Sequence, residues 1–413
     1  MTTRARRLPS WGFTLSLLVA LTMPSGHAAG GEVEPLAVPP LPPPALETEV
    51  MVPVLGEAPL DPAPSAETTG PAAPPPEVRR RGSGEAPMAT LPKRLDGEAE
   101  PAVPRTTQAP AEPIAPPPMT ELDVMLDWYP SPRHAALIVA RDKGMFARRG
   151  LEVRLSTPAD PNVPTKLLAA SRVDLALTRQ PLLHLKVDQG LPLIRVATLV
   201  DGTLAALVVR DGLRIDSPAD LAGRRIGHAD EDSLAVLLDT LLRPQGIKRA
   251  EVEVRGINFG PGRAISEGEV DGVIGAMRHL LPRELGDEGI ATRLMRVEEY
   301  GVPLHDGLIL LANRDRLNGQ REAIRQLVEA LEEATAWILE HPSAAWTHLL
   351  VAEPGLDTPA NLAAWPDILM HLSASPAAVD HGRYARFEKF LHDAGLVERL
   401  TPVERLALDP GTF

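Results

Sequence analysis

Side chains capable of covalent or metal chemistry are sparse in this sequence. Its 413 residues include no cysteine, which excludes disulfides, thiol nucleophiles and thiolate metal sites. The eleven histidines show no metal-ligand spacing, and neither a His-Glu-x-x-His nor a Gly-x-Ser-x-Gly pattern occurs. The stretch from Gly256 to Gly262 is glycine-rich, but Pro261 and the lack of a following Lys-Ser or Lys-Thr make it a plain loop. No catalytic residue, metal or cofactor is expected. What remains is the chemistry of non-covalent recognition. Trp128, next to Pro130 at a strand end, can turn a flat face into a cleft, where stacking on a ring gains about 1 kcal/mol beyond area burial; its other place is in the core under the first helix. Asp127 either bonds a ligand or pins the turn, and Ser131 and the helix-start residue His134 follow as further candidates. Gln180, between a buried strand and Pro181, is placed to meet a ligand. Arg278 either reaches the cleft or bridges two lobes through an acid, whereas His184 and His305 read as satisfied surface or hinge histidines. Asp230, Glu231 and Asp232 stand at a helix start, where they either cap the helix or accept hydrogen bonds from an amine or ring N–H. Three acids at a helix start would repel a phosphate or sulfonate, so a neutral or cationic, donor-rich heterocycle is the expected ligand.

The elements that must hold these residues alternate between short apolar runs and helical patterns, the signature of βα units and a mostly parallel sheet. Leu122, Val124 and Leu126 alternate as a first strand, followed by a helix from about His134 to Lys143 closed by Gly144. Further strands are read at 151–155, 173–177 and 204–209. After them the pattern restarts: Ser217-Pro218 marks a helix start, Arg224 to Gly227 a strand, Leu234 to Leu242 a helix face, and Val270 to Ala276 a buried strand. Leu308 to Ala312 then returns the chain to the first lobe, and Ile324, Leu327, Val328, Leu331, Ala334 and Ile338 open a series of C-terminal helices. The expected class is α/β with two lobes, 121–213 plus 300–413 and 214–299, joined by two crossovers. A cleft then lies at the carboxyl ends of the strands.

Residues 1–30 carry Arg4, Arg6 and Arg7, an apolar run from Trp11 to Met23 and a small-residue site near Ala28, the three parts of a secretory signal. The run is short for a permanent membrane span. Residues 31–120 are rich in Pro, Ala and Glu, without apolar periodicity, and are expected to form a disordered spacer. A net charge of −13 argues against nucleic acid or an anionic membrane as partner.

Five segments, in this order and spacing, carry a resemblance: DWYPSPRHAALIVARDKGMFARRGLEV at 127–153, PADPNVPTKLLAASRVDLAL at 158–177, QPLLHLKVDQGLPLIRVATLV at 180–200, DLAGRRIG at 220–227 and GVPLHDGLILLANRD at 301–315. From about 121 to 413 the chain resembles the type II periplasmic binding proteins of the branch that includes thiamine-pyrimidine-precursor receptors and the fungal thiamine-pyrimidine synthases. The resemblance implies a periplasmic, monomeric receptor that passes a small heterocycle to the permease of an inner-membrane ABC importer, and it implies that Trp128 stacks on the ligand. The chain departs from the pattern at Ser131, where an asparagine is usual, at Ile138 and Met145, where aromatics are usual, and at Gly307, where a glutamate is expected. The lysine and histidine of the synthases fall on Thr178 and Leu182, and their cysteine-rich run falls near 301–311, so synthase activity is not expected. The remaining alternative is a non-transport partner module of the cell envelope on the same fold.

Overall fold

The computed structural model describes residues 119–412. The expected signal and nearly all of the expected spacer lie outside them, although Thr120 already opens the first strand. Ten strands follow in order: β1 (Thr120–Met125), β2 (Leu151–Ser156), β3 (Leu175–Thr178), β4 (Leu193–Val200), β5 (Ala205–Arg210), β6 (Arg225–His228), β7 (Glu253–Gly256), β8 (Gly272–Met277), β9 (Thr292–Arg296) and β10 (Leu308–Asn313). They form two five-stranded sheets, ordered β2-β1-β3-β10-β4 and β7-β6-β8-β5-β9. Each sheet has one strand running against the rest: β10 pairs antiparallel with β3 and β4, and β5 pairs antiparallel with β8 and β9.

The strand patterns follow from burial. In β1, Leu122 and Val124 face the core while Glu121 and Asp123 are exposed, the period of two expected where one face is covered. Strands β4 and β10 are buried along their whole length, as strands covered on both faces must be. Between these apolar runs lies Arg195, fully buried, whose guanidinium donates to the carbonyls of Pro376, Ala377 and Ala378 and thereby ties the C-terminal segment to β4. The 24-residue helix Leu317–Glu340 buries Ile324, Leu327, Val328, Leu331, Ala334 and Ile338 against helix Ala135–Asp142, as its spacing predicts.

Strand β5 corrects the expected lobe boundary. Residues 205–210 belong to the second sheet, so the first crossover is the short link 201–204 rather than a break at 213/214. The second crossover runs from β9 to β10. The two links touch closely: a Cβ on Gly307 would run into the Gly202 carbonyl oxygen and the Leu204 side chain. That contact is the physical reason a glutamate does not fit at this position. Helix His381–Asp393 spans both cores, with Tyr384 packed into the first and Phe387 and Leu391 into the second. Among the described residues no helix is long and apolar enough to cross a membrane.

Candidate functional site

The carboxyl ends of β1, β3, β6 and β8 converge between the lobes on a cavity of about 650 Å³. Its wall is built from the turn after β1, from Thr178, Arg179 and Leu182 after β3, from Ala229 and Asp230 after β6, and from the end of β8. The C-terminal segment adds residues of helix Pro359–Leu369. This is where an α/β fold places its ligands, because the loops there are free of the sheet's hydrogen bonding.

The turn after β1 is held by an ionic cluster. Asp127 accepts from Arg133 Nη1 at 2.9 Å and from His134 Nε2 at 3.0 Å. The backbone N–H of Ser131 donates to His134 Nδ1 at 3.0 Å, which makes Nδ1 the acceptor and leaves Nε2 to carry the proton toward Asp127. Burial opposes the charge on Asp127, but Arg133 and His134 outweigh it and hold the carboxyl well below the usual carboxylate range. Burial, with Arg133 beside it, keeps His134 below its usual value. Asp127 and Ser131 line the cavity, whereas His134 is fully buried behind Asp127 and orients it. Asp127 therefore pins the turn and faces the cleft at once.

The acids at 230–232 are engaged by the first lobe. Arg179 Nη2 reaches Asp230 Oδ2 at 2.5 Å and Asp232 Oδ1 at 2.7 Å, and its Nη1 donates to the Gly275 carbonyl at 3.4 Å. Burial opposes the Arg179 charge, but the two carboxylates raise its pKa above the ordinary arginine value. Two carboxylates against one guanidinium leave a negative excess. Burial pushes the deeper one, Asp232, up to about 7; Arg179 pulls it down and Asp230 pushes it further up. Gly275 has φ +79°, and a Cβ there would strike Ser233 Oγ, so only glycine lets the helix start after β6 sit this close to β8. Glu231 is half-exposed, outside the cavity, and bound to Lys186 at 2.6 Å. Asn162 Oδ1 accepts from the Glu231 N–H at 3.1 Å. The loop expected to accept a ligand's donors is thus an interlobe clamp; of its three acids Asp230 alone lines the cavity.

Gln180 and Arg278 lie elsewhere than expected. Gln180 is fully buried; its Oε1 accepts from the Asp306 N–H at 2.8 Å and its Nε2 donates to His184 Nε2 at 3.1 Å, joining the end of β3 to the second crossover. His184, which also meets Glu388, and His305 are buried with partners at this junction, the hinge rather than the surface of the two places expected for them. Arg278 pairs with Glu298 of its own lobe at 2.5 Å and neither lines the cavity nor bridges the lobes. In contrast, Trp128 is half-buried and lines the cavity, outside the core. Phe259, in the stretch read as a plain loop, meets Trp128 edge-on at 4.5 Å between ring centroids and Tyr129 at 4.7 Å. This aromatic cluster closes one side of the cleft from both lobes and offers faces and edges suited to a flat ring.

Sequence reasoning missed Arg179 and Phe259. Arg179 follows a wholly buried strand, LALT, and an arginine at that place is itself a signal, because burying it demands acids from elsewhere. Among the described residues no group of three or more His, Asp or Glu could hold a metal ion. The arrangement offers aromatic contact, paired charges and a few polar groups, which is the chemistry of ligand capture.

The comparisons with known proteins agree with this geometry. Residues 131–345 match the NMT1/THI5-like family. A Haemophilus influenzae protein named for thiamine biosynthesis is 38% identical over 293 residues, covering 70% of this chain and 92% of the relative. The formylaminopyrimidine-binding protein of Halalkalibacterium halodurans is 31% identical over 239 residues, covering 58% of this chain and 72% of the relative. A 4-amino-5-hydroxymethyl-2-methylpyrimidine phosphate synthase of Uromyces fabae is 24% identical over 254 residues, covering 58% and 73%. In structure, the alkanesulfonate-binding protein of Xanthomonas axonopodis pv. citri superposes with a TM-score of 0.57 at 17% identity, over 70% of this chain and 98% of that one, and shows the periplasmic-binding-protein fold. The chain belongs to the NMT1/THI5-like family.

Proposed function

We infer that the chain is the exported, periplasmic substrate-binding component of an ABC importer, a monomer that captures a small heterocycle resembling a thiamine pyrimidine precursor. The observation that carries this reading is the interlobe cavity of about 650 Å³ with Trp128, Tyr129 and Phe259 at its wall. A volume of this size suits a small organic ligand, and contacts from both lobes let the ligand stabilise the closed form. Trp128, Asp127, Ser131 and Asp230 are the ligand-facing residues of this proposal; His134 acts through Asp127, and Asp232 acts through Arg179. Gln180, Glu231 and Arg278 have no part in it, because their side chains are engaged outside the cavity.

A non-catalytic role is supported by the cleft itself. Thr178 and Leu182, which stand where the related synthases carry lysine and histidine, both line the cavity, and neither forms a Schiff base or supplies an imidazole. A second reading, a partner module that no longer needs a ligand, draws support from the Arg179 clamp, since the protein's own charges already hold the lobes together. Native mass spectrometry of the protein purified from its own host separates the two. A co-purifying mass of the pyrimidine class, with thermal stabilisation by pyrimidines, is expected; a protein that carries nothing and responds to no heterocycle would favour the partner module.

A further inference from the structure

The first-lobe wall of the cavity holds donors that nothing in the protein answers. Strands β1 and β3 are parallel neighbours, with Val124 beside Leu175 and Met125 beside Ala176, so the residues at their carboxyl ends emerge side by side. The turn after β1 supplies Arg133 and the end of β3 supplies Thr178; both line the cavity, and they are only 5% and 4% exposed. Arg133 meets Asp127 through Nη1 at 2.9 Å, while its Nε is buried without an acceptor. Unlike Nε, its Nη2 keeps accessible surface, and no group among the described residues bonds it, so it opens on the cavity that Arg133 lines. The Thr178 hydroxyl is in the same position: it has no partner among the described residues and it is not sealed from the cavity.

The charges of this wall are already matched, and its N–H groups are not. Burial lowers the Arg133 pKa, Asp127 raises it, and Arg179 is near enough to lower it again. Arg179 in turn holds Asp230 and Asp232. A carboxylate or sulfonate on a ligand would find both guanidiniums taken and would face Asp127 and Asp230 across the same cavity. A guanidinium, however, carries five N–H donors in a planar fork, and a buried one that lacks acceptors is costly. A neutral oxygen with two lone pairs supplies what is missing without adding charge.

We propose that Arg133 and Thr178 are the specificity-determining pair of the cleft, donating from Nη2 and the hydroxyl to a neutral carbonyl arm of the ligand, which is therefore a flat heterocycle with an amide-like substituent. This rests on the reading of the cleft as a ligand site. The test uses three probes with one ring, 4-amino-2-methylpyrimidine carrying at position 5 a carboxamide, a carboxylate or a hydroxymethyl group. Calorimetric titration of the full chain should show the carboxamide binding about tenfold tighter than the hydroxymethyl compound, and tighter than the carboxylate. Because the arm is neutral, the preference over hydroxymethyl should be the same at about 0.02 M and about 0.5 M salt. Arg133→Met should bind the carboxamide and hydroxymethyl probes alike, whereas a merely structural role in pinning Asp127 would weaken both and leave their ratio unchanged. Thr178→Val, which keeps the shape of the side chain and removes only the hydroxyl, should narrow the preference to about threefold. Equal binding of the carboxamide and hydroxymethyl probes to the native chain, tightest binding of the carboxylate, or a preference that survives both substitutions would overturn the pair while leaving the cleft reading intact. Binding of none of the three would overturn both.

Discussion

Arg179 is the residue whose loss should change the molecule most without touching its cores. Arg179→Met would leave Asp230 and Asp232, whose side chains are 10% and 1% exposed, without the cation that both share. Removing one partner of a buried ion pair costs about 3–5 kcal/mol, because the remaining charge is stranded out of water. Here the strain has an outlet, since separating the lobes would hydrate both carboxylates. The loss should therefore appear as lobe opening, shifting the closed-to-open ratio by on the order of a hundred- to a few-thousand-fold. Other interlobe pairs, such as Lys186–Glu231 with its acid half-exposed and Arg283–Asp367 with both partners about a third exposed, cannot replace it, as ion pairs open to solvent contribute about 1 kcal/mol or less. The chain has no cysteine, so Glu152→Cys on β2 and Glu253→Cys on β7 would give two unique spin-label sites, one in each lobe. Pulsed electron-spin distances should be single and short in the parent and longer and broader in Arg179→Met. Adding Asp230→Asn and Asp232→Asn should restore much of the short distance by removing the stranded charges. An unchanged distance distribution in Arg179→Met would refute the clamp.

Other predictions follow from single residues. Trp128→Ala should weaken binding of a pyrimidine ligand at least about tenfold, roughly 1.4 kcal/mol, because the half-buried indole is part of the cavity wall; an unchanged dissociation constant would remove it from the site. Gly307→Glu should destabilise the fold by about 1–3 kcal/mol in urea titration, because its Cβ has no room between the crossovers; a neutral effect would show that the links part easily. Burial lowers His305 from 6.5 to about 4, so the unfolded chain takes up a proton between those values before the folded one does. That contribution is present in full above pH 6.5 and is lost as pH falls toward 4, by about 3 kcal/mol. His305→Asn should flatten this part of the pH dependence of the urea midpoint, and an unaltered slope would assign it to other groups.

How far the sequence disclosed the structure depended on how local the cause was. The turn DWYPSPRH is legible in part: a helix start at His134 and a turn pinned by Asp127 are among its readings, whereas the closing of Arg133 on Asp127 is visible only in the structure. Periodic helices such as Leu317–Glu340 are legible from their own spacing. Position 179 was misjudged by one residue. Where a strand hands over to a helix, neighbouring side chains point to opposite sides, so Gln180 turns inward to Asp306 while Arg179 turns to the cleft. The acids at 230–232 read as possible ligand acceptors because their partners Arg179 and Lys186 are 45 residues or more away in sequence and belong to the other lobe. Phe259 is not legible because its glycine-rich loop carries no local signal for it, and its part comes from two aromatics of the first lobe. The β5 boundary was hidden because an apolar strand carries no mark of which sheet it joins.

A receptor of this kind must bind a heterocycle in its cleft and prefer it to an anion. Isothermal titration of the full chain with 4-amino-5-hydroxymethyl-2-methylpyrimidine and its aminomethyl analogue, alongside taurine as the sulfonate control, asks this directly. One-to-one binding of a pyrimidine, lost or weakened in Trp128→Ala, with no heat from taurine, is the expected result. Tight binding of taurine with none of either pyrimidine would contradict the account.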